Sequence, residues 1–332
     1  MSNKASSLNW SDTNLAKRFP AARSFRPVTP AARTIPSSAA PVTTWTSLNR
    51  WAAENRIGAP HRLSDTPTAT YAVSSANGTM VLEIGSRDAA WNDTEIQLGF
   101  APEFIDDQVF VHGLDLQKNL EPLLRGSPLE FGNRVIVIDP GHGGANVGTH
   151  SVLDGRFEKE FTLDWAKRLA PLLETNGWQV FLTRTSDVDV ALSNRVAFAE
   201  AHHADLFISL HFNSTPDLDK KPAGLETYCL TPAGMPSSLM RGPDIWSQWF
   251  SNNAFDDQNL QLAVRLHSAI LRATGLEDRG VNRARFIGVL HRQHCPAVLI
   301  EGGYLSNPHE AKLIENPEFR QKLAEAVANA LK

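Results

Sequence analysis

Cysteine is scarce in this chain: 332 residues hold two, Cys229 and Cys295. Two thiols do not make a disulfide scaffold, and both fall at the ends of strand-like apolar stretches, so buried, unpaired cysteines are expected. Long apolar runs are missing as well. No stretch approaches the roughly 20 residues of a membrane helix, and the amino terminus lacks the apolar core of about 7 to 15 residues that marks a secretory leader. Either the protein is cytosolic or the chain starts after its leader. Charge of one sign is also lacking, since the formal net charge is −4, which leaves no broad basic surface for nucleic acid. What is present is 42% apolar residues, enough to bury one large core with length left for a smaller module.

The composition shifts along the chain. Residues 1–50 carry seven Lys or Arg against one Asp, and residues 1–44 are rich in Ala, Ser, Thr, Pro and Arg with little hydrophobic periodicity, which reads as a disordered basic leader or tether. From 45 to 124 one short helix around Leu48 and Trp51 precedes alternating stretches at 71–75, 80–84, 95–100 and 109–112, the marks of a small β-rich module. The run from Leu82 to His112 loosely resembles the copper amine oxidase amino-terminal-like repeat over about 40 residues, without clustered copper ligands. Residues 125–133 read as a linker.

Strand and helix patterns alternate from 134 to 332. Strands are expected at 134–138, 178–183, 205–210, 225–230 and 297–301, and helices at 158–175, 191–202, 258–274 and 317–331. The fold class is therefore α/β, a mainly parallel twisted sheet with helices on both faces, preceded by the β-rich module and the leader. The long connection 231–257 carries Trp246, Trp249, Phe250 and Phe255. It is expected to pack at the rim of the site, with a short amphipathic helix starting near Pro243. Such a segment acts either as a gate or as a fixed flap that buries those aromatics.

Four residues carry the chemistry. His142 follows an apolar strand in a glycine turn, Glu158 opens the next helix, and His211 and Glu301 end later strands. Ligands collect at the carboxyl ends of strands in such sheets, and two imidazoles with one carboxylate form a ligand set for catalytic zinc that keeps a position for water. A further glutamate beside that water completes a hydrolase. Taken singly, each has a plainer reading: a hydrogen-bonded histidine, a solvated glutamate, or a carboxylate suited to the helix dipole. A phosphate loop is the other reading of Gly141-His142-Gly143-Gly144, but the stretch lacks the Gly-Lys-Ser/Thr ending. Asp139 either orients the His142 loop or caps the turn, Arg184 and Arg195 are expected to pin the loops around the cleft, and His291 and His294 to lie near the groove.

Together these stretches resemble the zinc-dependent N-acetylmuramoyl-L-alanine amidases of bacterial peptidoglycan. The resemblance runs through Ile138-Asp139-Pro140-Gly141-His142-Gly143-Gly144, Glu158-Lys159, Leu182-Thr183-Arg184, Ser209-Leu210-His211-Phe212-Asn213, Gly224-Leu225-Glu226-Thr227-Tyr228, Arg279-Gly280-Val281 and Ile300-Glu301-Gly302-Gly303-Tyr304. It covers residues 134–332, the expected catalytic domain. Phe212 and Gly303 depart from the family pattern, and both positions are candidates to reshape the groove. The resemblance implies one zinc ion on His142, Glu158 and His211, Glu301 as the catalytic glutamate, peptidoglycan or muropeptides as partner, no membrane insertion, a monomer, and a periplasmic or secreted protein whose leader is absent from this chain. Two other readings stand beside it. One is a zinc exopeptidase on a related fold, which needs a group to grip a free terminus; the other is a catalytically silent wall-binding protein.

Overall fold

The computed structural model describes residues 44–66, 68–126, 128–215 and 221–332. The leader expected over 1–44 lies outside them up to residue 43. The strands are β1 (Trp45–Ser47), β2 (His61–Ser64), β3 (Thr70–Ser75), β4 (Gly78–Glu83), β5 (Asp88–Trp91), β6 (Thr94–Gln97), β7 (Glu103–Ile105), β8 (Gln108–His112), β9 (Val135–Pro140), β10 (Gln179–Leu182), β11 (Leu206–Asn213), β12 (Leu225–Cys229), β13 (Asp278–Arg283) and β14 (Ala297–Tyr304). The helices are α1 (Leu48–Glu54), α2 (Gly113–Asp115), α3 (Glu158–Thr175), α4 (Leu192–Ala201), α5 (Asp256–Thr274), α6 (Gly288–His291), α7 (Pro308–Glu315) and α8 (Pro317–Ala330). After α2 the chain continues in wide helical turns to Gly126.

Eleven strands form one sheet in the order β10-β9-β11-β14-β12-β13-β6-β5-β4-β3-β2, and β1, β8 and β7 form a smaller one. The four strands β10, β9, β11 and β14 are parallel, so their carboxyl ends lie together. β12 runs antiparallel to β14. All six residues of β9 are buried, as expected for a strand covered on both faces. Ile136 and Ile138 pack with Phe161, Trp165 and Leu169 of α3 and with residues of α5 and α8. Val137, pointing the other way, packs with Ala199 of α4 and with Val289 and Leu290 of α6.

Part of the β-rich segment, β2 to β6, joins the large sheet instead of closing one of its own. β6 pairs with β13, Glu95 N donates to Asp278 Oδ2 at 2.9 Å, and Arg283 Nη2 donates to Lys118 O at 2.9 Å. Val73, Met80, Leu82, Ile96 and Leu98 share one apolar cluster with Leu260 and Val264 of α5. Without β6 the outer edge of β13 would present unpaired backbone groups. The expected linker is packed down too, with Phe131 ringed at 4.9 Å by Trp178.

A chain beginning at residue 130 is therefore expected to fold poorly. Each Leu or Val left bare on α5 removes about 1.5 to 3 kcal/mol, and the β13 edge opens to aggregation. Thermal melting and size-exclusion behaviour of the truncated chain check this; a monomer as stable as the full chain would contradict it.

Candidate metal centre

Residues 140–142 leave β9 in a turn whose backbone is strained, with His142 at φ 62°. A residue other than glycine holds that conformation only when its surroundings insist. Here two arginines do so. Arg195 donates from Nη1 to Pro140 O (2.9 Å) and from Nη2 to His142 O (2.8 Å). Arg184 donates from Nε to Pro140 O (3.0 Å) and from Nη2 to Gly141 O (2.9 Å) and Lys159 O (2.8 Å). Asp139, buried below them, forms a salt bridge with Arg195 and accepts from Thr183 Oγ1 (2.6 Å) and Ser209 Oγ (2.8 Å). It orients the His142 loop through Arg195, and both arginines are spent on the protein rather than on substrate.

The three residues expected to bind metal come together. His142 Nε2 lies 3.0 Å from Glu158 Oε2, and His211 Nδ1 lies 2.9 Å from Glu158 Oε1. The two rings meet edge to face with centroids 4.9 Å apart, and one donor atom from each residue falls within 4.8 Å of the others. Glu158 also accepts from Phe212 N (3.0 Å) and Thr149 N (3.1 Å). Burial opposes its charge, yet the hydrogen bonds and charges of His142 and His211 outweigh burial and hold its pKa far below the usual carboxylate range. Burial likewise disfavours a charged His142, but Glu158 and Asn146 outweigh it and raise the pKa of the ring. Two imidazole nitrogens turned on one buried carboxylate need either bridging protons or a cation, so the donor set fits a divalent metal.

Two glycines make room for this packing. A Cβ on Gly141 would stand 2.3 to 2.7 Å from the His211 ring, and one on Gly148 would stand 2.5 Å from Glu158 Oε2 and 2.7 Å from His142 Cδ2.

Glu301 lies beside His211 in the β11–β14 register and opposite Glu226 in the β14–β12 register, so the three side chains share a face of the sheet. Its Oε2 is buried, with no hydrogen-bond partner among the described residues. Burial, then the like charges of Glu158 and Glu226, push its carboxyl well above the ordinary range, with Arg241 pulling the other way.

Two residues of the site had no role assigned from sequence. Asn146 Oδ1 lies 2.8 Å from His142 Nδ1, the kind of partner that fixes a ligating imidazole. Its signal was its place four residues on, within the same glycine loop. Glu226 accepts from Asn213 Nδ2 (2.7 Å), Tyr228 OH (2.9 Å), Tyr304 OH (2.8 Å) and Arg279 Nε (3.0 Å), and no local pattern announces such a hub. Phe212 turns away from the groove and packs on Trp165 at 5.4 Å, because it alternates with His211 along β11. Gly303 likewise lies against Glu310 and Ile314 of α7.

Residues 136–332 match the sequence family described as N-acetylmuramoyl-L-alanine amidase (Amidase_3). The chain belongs to this family. AmiA of Escherichia coli K12, an N-acetylmuramoyl-L-alanine amidase, is 30% identical to it over 222 residues, spanning 60% of this chain and 75% of AmiA. Among solved structures, the amidase of Clostridium difficile 630 is similar with 31% identity and a TM-score of 0.50, covering 59% of this chain and 94% of that one. AmiC2 of Nostoc punctiforme is similar with 30% identity and a TM-score of 0.50, covering 61% and 97%. The match takes in the parallel strands and every residue of this amidase-family centre, and starts just after the linker.

Gly148→Ala is expected to leave the amidase fold intact and to weaken divalent-metal affinity by roughly 10- to 100-fold, since the new Cβ pushes on two donors and φ there is 73°. Competition titration against a metal chelator measures it. Unchanged affinity would show that the crowding at Glu158 is not needed for the site.

Proposed function

We propose that this protein hydrolyses the amide bond between N-acetylmuramic acid and L-alanine in peptidoglycan, with one zinc ion held by His142, Glu158 and His211. The observation that carries the reading is the His-Glu-His cluster set beside Glu301, whose carboxyl has a buried oxygen with no partner among the described residues. Zinc, when bound there, supplies Lewis acidity that activates water and polarises the scissile carbonyl.

The chain supplies the remainder. Asn146 holds Nδ1 of His142 and the two arginines hold its backbone, so the ring keeps one orientation. Glu301 takes a proton from the attacking water through its carboxylate and hands it to the nitrogen of L-alanine as the C–N bond breaks. Glu226 gathers the neighbouring donors to itself, which leaves the Glu301 oxygen free for that transfer. The substrate sets the location, the cell envelope, in a periplasmic or secreted form. Among the described residues no helix is long and apolar enough to cross a membrane.

Glu301→Gln is expected to keep zinc near one equivalent while turnover of muropeptides falls by about 10² to 10⁴, and a chelator is expected to abolish the wild-type reaction until zinc is restored. Mass spectrometry should find an intact peptide with a free L-alanine amine. Release of single amino acids instead, or full turnover by zinc-loaded Glu301→Gln, would overturn the assignment.

A further inference from the structure

The segment 231–257 holds a group of residues that the hydrolytic chemistry does not use. Residues 231–250 contain no regular helix, contrary to expectation; the chain coils into a short 3-10 helix only at Ser251–Phe255. The segment is pinned instead by polar contacts. Asp244 forms a salt bridge with Arg285 and accepts from Ser237 N (2.8 Å). Arg285 Nη2 donates to Pro232 O (3.0 Å) and Met235 O (2.8 Å). Trp246 and Trp249 stay exposed, so the flap does not bury its indoles as expected. Between the pins, residues 239–243 stand out, with Met240 61% exposed.

Arg241 sits at this crest, its guanidinium 5.0 Å from the Phe286 ring centroid. Among the described residues it makes no ion pair. It lines a cavity of about 220 Å³ together with Met240, Phe250, Arg285, Phe286 and His291. His291 stacks on Phe250 at 4.0 Å, and burial lowers its pKa, so the pair presents a flat neutral surface. The charge of Arg285 is matched by Asp244. Among the described residues the lining thus offers one unmatched cation over aromatic walls, and its one carboxylate is already paired. Such a lining suits a small organic anion. Phe286 of the cavity wall packs against the apolar cluster that includes Tyr228 and Leu299, which lie two residues from Glu226 and Glu301 respectively, along strands that place them on the same face of the sheet.

We propose that Arg241 and this cavity form a subsite for a carboxylate on the peptide part of the substrate. The inference rests on the amidase reading above. In an N-acetylmuramoyl peptide the lactyl carboxyl is consumed in the scissile amide, so the free carboxylates lie along the peptide. A carboxamide in the same place keeps the shape but loses the charge-assisted bond to Arg241, so the subsite distinguishes free from amidated stem peptides.

The test uses the full zinc-loaded chain, a soluble muropeptide, and its copy with the peptide carboxylates converted to carboxamides. The wild type is expected to show a KM roughly tenfold lower for the carboxylate form. Arg241→Gln is expected to erase that difference by raising KM for the carboxylate form alone, with the melting temperature unchanged and any change in kcat the same for both forms, and Arg241→Lys to keep part of it. Equal KM values in the wild type, or equal effects of Arg241→Gln on the KM of both forms, overturn the subsite and leave the amidase reading standing. If the wild type cleaves neither form, both readings fall together.

Discussion

Glu158, 3% exposed at the first turn of α3, accepts hydrogen bonds from the loop after β9, from the turn at Thr149 and from β11, and so joins these three pieces of chain. A carboxylate this deep needs compensation, because the loss of water around an ion costs several kcal/mol unless partners replace it. Two backbone N–H groups and the helix dipole provide part of it. The imidazoles provide the rest. A divalent cation held by the same three side chains would compensate the buried charge as well.

A second layer keeps that arrangement from relaxing. Three successive carbonyls, Pro140, Gly141 and His142, are each taken by a guanidinium, and Thr162 Oγ1 adds a bond to Gly141 O at 2.9 Å. The left-handed backbone at His142 is thereby over-determined, which is what preorganisation of a ligand requires. Arg184 comes from the end of β10 and Arg195 from α4, so the strands next to the site serve chiefly to deliver its scaffolding.

Much of this was legible from residue order. β9 reads as a strand because it is apolar without alternation and breaks at Pro140-Gly141, and α3 reads as a helix because Phe161, Trp165, Leu169 and Leu172 recur on one face. The placement of His142, His211 and Glu301 followed from strand ends in a parallel sheet. β13 was not legible: Asp278-Arg279-Gly280-Val281-Asn282-Arg283 has one apolar side chain, and it is a strand because β12 and β6 pair with it from both sides. The same blind spot made residues 45–124 look like a detachable module, since local alternation shows that strands exist but not which edge they join. The wide segment at 231–250 misled in another way, because aromatic spacing suggested a helix where Asp244 and Arg285 impose an irregular path.

The central claim is that the carboxylate of Glu158 and the imidazoles of His142 and His211 are the ligands of one zinc ion. Anomalous diffraction on both sides of the zinc absorption edge, from crystals of the zinc-loaded protein, addresses it directly. The account predicts a single zinc peak within bonding distance, about 2.0 to 2.2 Å, of all three side chains. A peak ligated by other residues, or no peak at this cluster in protein that retains zinc, would contradict it.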